Sequence, residues 1–196
     1  LVPDYKKEYF EKHFGIKGVV IEGVQAYRFS RHFRSLLFKR LARPLAGTRT
    51  SALRIRQKWV LEKKFFYYFF FLLPARWLSR SLRAVRFVRW LDAILAPDKH
   101  CFDEVIRRFS PDLIVAADIN NENDVALVQD AKRHRIPVLG LMRSWDGPTN
   151  FLIRAVPDHL AVWNETLRDE IHRFQKIGRA GVHVVGIPHY DRYTKG

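Results

Sequence analysis

The sequence predicts an α/β fold: a doubly wound parallel sheet that carries a basic helical insertion. Three observations predict it. Short apolar runs at 113–117, 137–142, 160–163 and 182–185 recur with amphipathic stretches between them, which is the rhythm of βα units. Residues 28–95 read instead as a run of helices. Charge follows the same division. The chain carries a net +15, and the stretch from 28 to 92 holds seventeen Lys and Arg against only Glu62 and Asp92, so the whole excess lies there.

The elements follow in order. Leu1 and Val2 read as the end of a strand, so the chain is expected to open inside one whose start has been cut away. Asp4 is expected to cap a short helix that stops at Gly15 in the left-handed position, and 18–21 to form a second apolar strand. These make up a first unit, 1–27. In the insertion, 28–97, Phe29, Phe33, Leu36, Leu37 and Leu41 share one helical face, and Pro44 and Gly47 end that helix. The stretch 65–74 (FFYYFFFLLP) is aromatic all round. Trp77, Ser81, Ala84, Val88, Leu91 and Leu95 then follow a 3.6-residue period as one helix. Arg76, Arg80 and Arg83 lie together on another face of it, with Arg86 at the edge.

From 98 to 190 the βα series resumes. Phe102, Val105, Ile106 and Phe109 form an amphipathic helix ending at Ser110-Pro111, and 113–117 is a strand of the kind buried on both faces. A helix at 122–135, strands at 137–142 and 160–163, a helix capped by Asn164 with Leu167, Ile171 and Phe174 inward, and a strand at 182–185 complete it. Residues 191–196 begin an interdomain linker.

Composition removes several classes. At 196 residues, 47% hydrophobic and 14% aromatic, the chain can bury a core and is not disordered. Its single cysteine, Cys101, excludes an internal disulfide framework and suits a reducing compartment; beside Phe102 it reads as core-adjacent and inert. The opening LVPDYKKEYF has charges where a secretory signal is apolar, and the longest uncharged apolar run, 65–73, is nine residues against the roughly 20 that span a bilayer. A cytoplasmic chain is expected. No Walker A loop, no Gly-x-Gly-x-x-Gly, no Cys-x-x-Cys and no His-Glu-x-x-His is present, so P-loop, dinucleotide and zinc chemistry are disfavoured.

In a parallel sheet ligands bind beyond the carboxyl ends of the strands, which directs attention to three loops. Asp118, Asn120, Asn121 and Glu122 follow the strand at 113–117; they either cap the next helix or face a ligand, and both roles fit together if an Asn caps while Asp118 or Glu122 faces the cleft. Ser144, Trp145, Asp146 and Asn150 follow the strand at 137–142. Trp-Asp-Gly-Pro is a turn in its own right, and an indole beside a carboxylate is also a way to hold a sugar. His189 lies in the Gly-Ile-Pro-His segment after the last strand, either as a plain loop residue or at the site.

The order SPDLIVAADINNENDVALVQDAKRHRIPVLGLMRSWDGPTN, then PDHLAVWNETLRDEI, then VHVVGIPHYDRY resembles the N-terminal half of bacterial GT-B-fold transferases. The nearest subgroup is the surface or capsular carbohydrate biosynthesis proteins, which shade into CDP-glycerol glycerophosphotransferase-like enzymes. The matching pieces are Ser144-Trp145-Asp146, Val162-Trp163-Asn164-Glu165, and Gly186-x-Pro-x-x-Asp191 followed by Tyr193; where the subgroup usually has Asn after Trp-Asp, this chain has Gly147.

The resemblance implies a Rossmann-like, acceptor-side domain of a nucleotide-sugar-dependent glycosyltransferase or glycerophosphotransferase of capsule, polysaccharide or glycolipid biosynthesis. The C-terminal donor domain would lie beyond this chain, which alone would be inactive. No cofactor is then bound by these residues and no metal is needed; the nucleotide-linked donor belongs to the longer protein. Asp118, Glu122 and Asp146 are the candidate catalytic carboxylates, and Asn120, Asn121, Ser144, Trp145, Asn150 and His189 the candidate acceptor contacts.

The expected partner is an acceptor sugar or lipid-linked glycan. Arg76, Trp77, Arg80, Arg83 and Arg86 would meet an anionic membrane surface at its inner face, with the aromatics at headgroup level. The rival class is a basic module without catalysis that binds nucleic acid or a membrane. Nucleic acid is the less favoured partner because no RRM, KH, OB or helix-turn-helix pattern accompanies the charge.

Overall fold

A computed structural model describes residues 1–24, 33–63, 65–95 and 100–187. It is α/β with parallel sheets. Strands β1 (Val2–Pro3) and β2 (Gly23–Val24) pair in parallel, and β3 (Ile114–Ala116), β4 (Val138–Leu141), β5 (His159–Val162) and β6 (Val182–Val184) form a four-stranded parallel sheet in sequential order. That order runs in one direction, so this sheet by itself contains no reversal of strand order.

The opening differs from expectation in two ways. Asp4 lies inside a 3-10 turn, Asp4–Lys6, and makes no side-chain cap to helix α1 (Lys7–Phe14). Gly15 is extended at φ −63°; Gly18, at φ +88°, takes the left-handed conformation in a turn where Val19 N donates to Ile16 O at 2.9 Å. That turn occupies the expected strand at 18–21, which leaves Val19 and Val20 exposed and moves the pairing to Gly23–Val24.

The insertion is helical among the described residues. Helix α2 (Phe33–Leu45) buries Ser35, Phe38, Ala42 and Leu45, a face rotated away from the expected one: Phe33 is 77% exposed, Leu36, Leu37 and Leu41 are half-buried, and Phe29 lies outside the described residues. The helix continues through Pro44, whose missing N–H costs one bond in the last turn, and Gly47 follows it at φ +67°. A Cβ on Gly47 would lie 2.7 Å from Ser79 Oγ, so glycine lets two helix ends meet.

Thr48 caps helix α3 (Arg49–Glu62) by accepting from Ser51 N at 3.0 Å. Helix α4 (Phe65–Tyr67) passes through a π-helical turn, Tyr68–Leu72, into α5 (Leu73–Leu78). The single helix expected over 76–95 is two: α5 closes through Arg80 N to Trp77 O and Ser81 N to Leu78 O, and Ser81 Oγ accepts Ala84 N to open α6 (Leu82–Leu95). Arg76 and Arg83 therefore sit on different helices, and the inward residues of α6 are Val85, Val88, Arg89 and Asp92.

Helices α7 (Asp103–Phe109), α8 (Glu122–Arg133) and α10 (Glu165–Glu170) share one core with the larger sheet, around Ile106, Val125, Val128, Leu167, Val138, Leu160 and Val162. Ser110 at φ 41° stops α7, and Asn164 caps α10 by accepting Leu167 N at 2.8 Å, both where the sequence places them. Val115 on β3 is exposed, so that strand is not buried on both faces. A continuous apolar run, 113–117, made an edge strand read as a central one. Cys101, likewise, is exposed rather than in the core.

Insertion and α/β unit are joined by a seam. Ala42, Leu45, Ala75 and Val85 pack with Leu152, and Leu152 N donates to Ala42 O at 2.7 Å. Arg89 donates to Ile153 O at 2.8 Å and to Gln175 O at 2.9 Å. Burial, then repulsion from Arg86, pulls its guanidinium down to about 10, still charged at neutral pH. The buried Gln175 amide donates to Pro148 O and Phe151 O and accepts Ile153 N, filling all three roles with one side chain.

Candidate functional site

Two loops at the carboxyl ends of β3 and β4 come together. Short helix α9 (Gly147–Asn150) starts directly after Trp145-Asp146, with Pro148 in its first turn where no N–H is missed. A Cβ on Gly147 would lie 2.9 Å from Met142 Sδ and 3.0 Å from Asn120 Nδ2, so glycine there lets the Asn120 loop close on the Trp145 loop. Arg143 Nη1 reaches Asp118 Oδ2 at 3.2 Å and ties the loops a second time.

Within the first loop, Asn121 caps α8 by accepting Asn123 N at 2.9 Å. Asp118 N donates to Asp124 Oδ2 at 2.6 Å. Burial raises the Asp124 carboxyl above its ordinary value, the Asp118 N–H works against that rise, and the negative charge of Asp118 adds to it. Among the described residues, the carboxylate of Asp118 accepts Asn120 N at 3.4 Å and the exposed Arg143.

Glu122 is differently placed. Its Oε2 accepts Arg154 Nη1 at 2.7 Å and its Oε1 faces Lys39 Nζ at 3.7 Å. Arg154 is also held bidentately by the buried Asp92, at 2.7 and 2.8 Å. Burial opposes the Arg154 charge, but the two carboxylates more than offset it and hold the guanidinium above its ordinary value. Glu122 is thus an anchor between α8, α2 and the Asp92–Arg154 pair of the seam, rather than a carboxylate open to the loop cluster.

Asp146 accepts from Ser144 Oγ and from Asn150 Nδ2, the latter at 2.6 Å, with Arg54 Nη2 at 4.0 Å. Asn150 is only 3% exposed, and its Oδ1 has no hydrogen-bond partner among the described residues. Trp145 stands out from this cluster, 68% exposed.

The structure therefore brings Asp118, Asn120, Ser144, Trp145, Asp146 and Asn150 together, gives Asn121 to capping, and ties Glu122 to the seam. His189 lies outside the described residues. Arg76, Trp77, Arg80, Arg83 and Arg86 are all exposed and remote in sequence from these loops.

Sequence reasoning did not single out Arg143, Arg54 or the Asp92–Arg154 pair. One signal for the pair was present: Asp92 is one of two acids in a block of seventeen bases, and Arg154 interrupts the apolar stretch FLIRAV. Among the described residues no group of three or more His, Cys, Asp or Glu is arranged to hold a metal ion. The loops offer two carboxylates, an amide, a guanidinium and an indole in one place, a set suited to a polyhydroxylated ligand. Compared with protein-family models, curated proteins and solved structures, the chain shows no match.

Proposed function

We propose that this chain is the acceptor-side unit of a GT-B-type transferase of surface polysaccharide or glycolipid biosynthesis, with the doubly wound, Rossmann-like arrangement of that class. In this reading it works in the cytoplasm at the inner face of the membrane, on a sugar or lipid-linked glycan. The observation that carries it is the joined loop pair, which sets an exposed indole, Trp145, next in sequence to Asp146 and on the loop that Arg143 ties to Asp118, at the carboxyl ends of parallel strands.

The roles follow from the contacts. Trp145 stacks on the apolar face of a sugar ring. Asp146, fixed by Ser144 and Asn150, accepts a hydroxyl hydrogen bond, while Asn120 and Arg143 orient the next group. Asp118, whose donors are a backbone amide at 3.4 Å and an exposed arginine, takes the proton of the acceptor hydroxyl as general base. The resulting oxygen attacks the activated centre of the nucleotide-linked donor, and the nucleotide leaves. The donor itself would be held by a further, C-terminal domain.

Titration of the protein with a panel of short surface-type oligosaccharides, followed by indole fluorescence, tests the acceptor half. Trp145→Ala and Asp118→Asn are each expected to weaken binding by about 10-fold or more, the loss of one charge-assisted contact, with thermal unfolding unchanged. No binding by the parent chain, or binding indifferent to both substitutions, would sink the reading.

A further inference from the structure

Helix α6 is apolar on two opposite sides. At about 100° per residue, Val85, Val88, Arg89 and Asp92 gather on the side that meets the core. Arg83, Phe87, Trp90 and Ile94, spaced i, i+4, i+7 and i+11, fall on the reverse, with Arg86 at its edge. Phe87 and Trp90 are each 56% exposed, their rings stacked at 5.7 Å. The same spacing recurs upstream, where Phe66, Phe70, Leu73 and Trp77 follow one another across the π-helical turn. Phe66 is 82% and Trp77 71% exposed, and Phe66 stacks with Phe70 at 6.3 Å.

Neither stripe contributes to a core. Among the described residues, no carboxylate pairs with Arg76, Arg80, Arg83 or Arg86, which flank the rings. Exposed aromatics on this scale mark a contact surface, since each square ångström of apolar area taken out of water is favourable by about 25 cal/mol. A matching partner must present an apolar layer and negative charge side by side. An anionic bilayer surface does so; nucleic acid offers phosphates and base faces, but Leu73 and Ile94 stack on no base.

We infer that the two stripes dock this chain onto an anionic membrane surface, with the rings at the boundary of headgroups and acyl chains and the arginines against lipid phosphates. This rests only on α4 to α6 and not on the transferase reading. Among the described residues no helix is long and apolar enough to cross a membrane.

Co-sedimentation of the full chain with vesicles tests it, comparing pure phosphatidylcholine with phosphatidylcholine containing about 30% phosphatidylglycerol at about 0.1 M salt. Binding to the anionic vesicles alone is expected, and it should fall as salt rises. Each Arg→Gln change at 76, 80, 83 or 86 should lower partitioning by about five-fold. The pair Phe87→Ser with Trp90→Ser, or the trio Phe66→Ser, Phe70→Ser and Trp77→Ser, should lower it by about 10-fold or more, with the unfolding temperature unchanged.

Absence of vesicle binding would overturn the inference, as would equal binding to both compositions. Two further results would do the same. One is tighter binding to a single-stranded RNA homopolymer that ignores the aromatic substitutions. The other is vesicle-free self-association that the same substitutions abolish.

Discussion

The two sides of α6 use the same residue types in opposite ways. Inward, a valine row is joined by Arg89 and Asp92, and each charge is satisfied: Arg89 by two backbone carbonyls, Asp92 by a bidentate Arg154. Outward, Phe87 and Trp90 are joined by Arg83 and Arg86; the rings stack on each other and stay exposed, and among the described residues no carboxylate pairs with either cation. Burial and pairing thus follow the inner side alone. A charge on the inner side is a structural commitment, because desolvation makes an orphan there expensive, whereas a charge on the outer side is free to meet something else.

Four measurements can break or sharpen that contrast. Asp92→Ala, which takes away both bonds of the bidentate pair and leaves the Arg154 guanidinium to Glu122 alone, is expected to cost about 3 kcal/mol in urea unfolding. Replacing Asp92 and Arg154 together by leucine should recover most of the loss, and a double variant as unstable as the single would show that the pair is not the unit. Val85→Ala, on the same side, should cost about 1.5–3 kcal/mol.

Further from the seam, Asp103 offers an acid-range test. Burial pushes its carboxyl up, but hydrogen bonds from His134 and His100, both at 2.7 Å, outweigh that and hold it below the ordinary value. Its contribution is therefore complete above the unfolded value of about 3.9 and lost as pH falls through the lower folded value. The stability gap between the parent chain and Asp103→Asn should close as the pH falls into the acid range; a gap that widens there would reverse the assignment. The smallest effect belongs to the outer side: Phe87→Ser or Trp90→Ser should change stability by no more than about 0.5 kcal/mol, and a larger loss would mean those rings are covered in the folded chain.

The βα series after residue 100 was legible because its strands are short apolar runs punctuated by Pro, Gly and capping Asn, and Asn164 and Ser110 act where their chemistry says they should. The insertion was legible as helix but not in its facing. Periodicity counts apolar residues, and α2 and α6 have apolar residues on both sides; α2 turns the small Ser35 inward, and α6 turns inward Arg89 and Asp92, whose partners are distant in sequence. The break before α6 lay in two serines, whose hydroxyls cap as readily as they sit on a helix face.

At the candidate site the loops were found from strand ends, and Asn121 proved to cap. Glu122 was not separable from Asp118 by residue type, because its cations, Arg154 and Lys39, come from an apolar stretch and from the insertion.

The bond from Leu152 N to Ala42 O has a reach beyond its own stability. Ala42 lies in the last turn of α2, where carbonyls have no successor within the helix, so the helix end is completed by an amide from the other unit. That single proton is a native timer. Its deuterium uptake at neutral pH measures how often the insertion lifts from the sheet without any label or substitution, and membrane attachment or a bound glycan that steadies the seam would be read directly as slower uptake at Leu152.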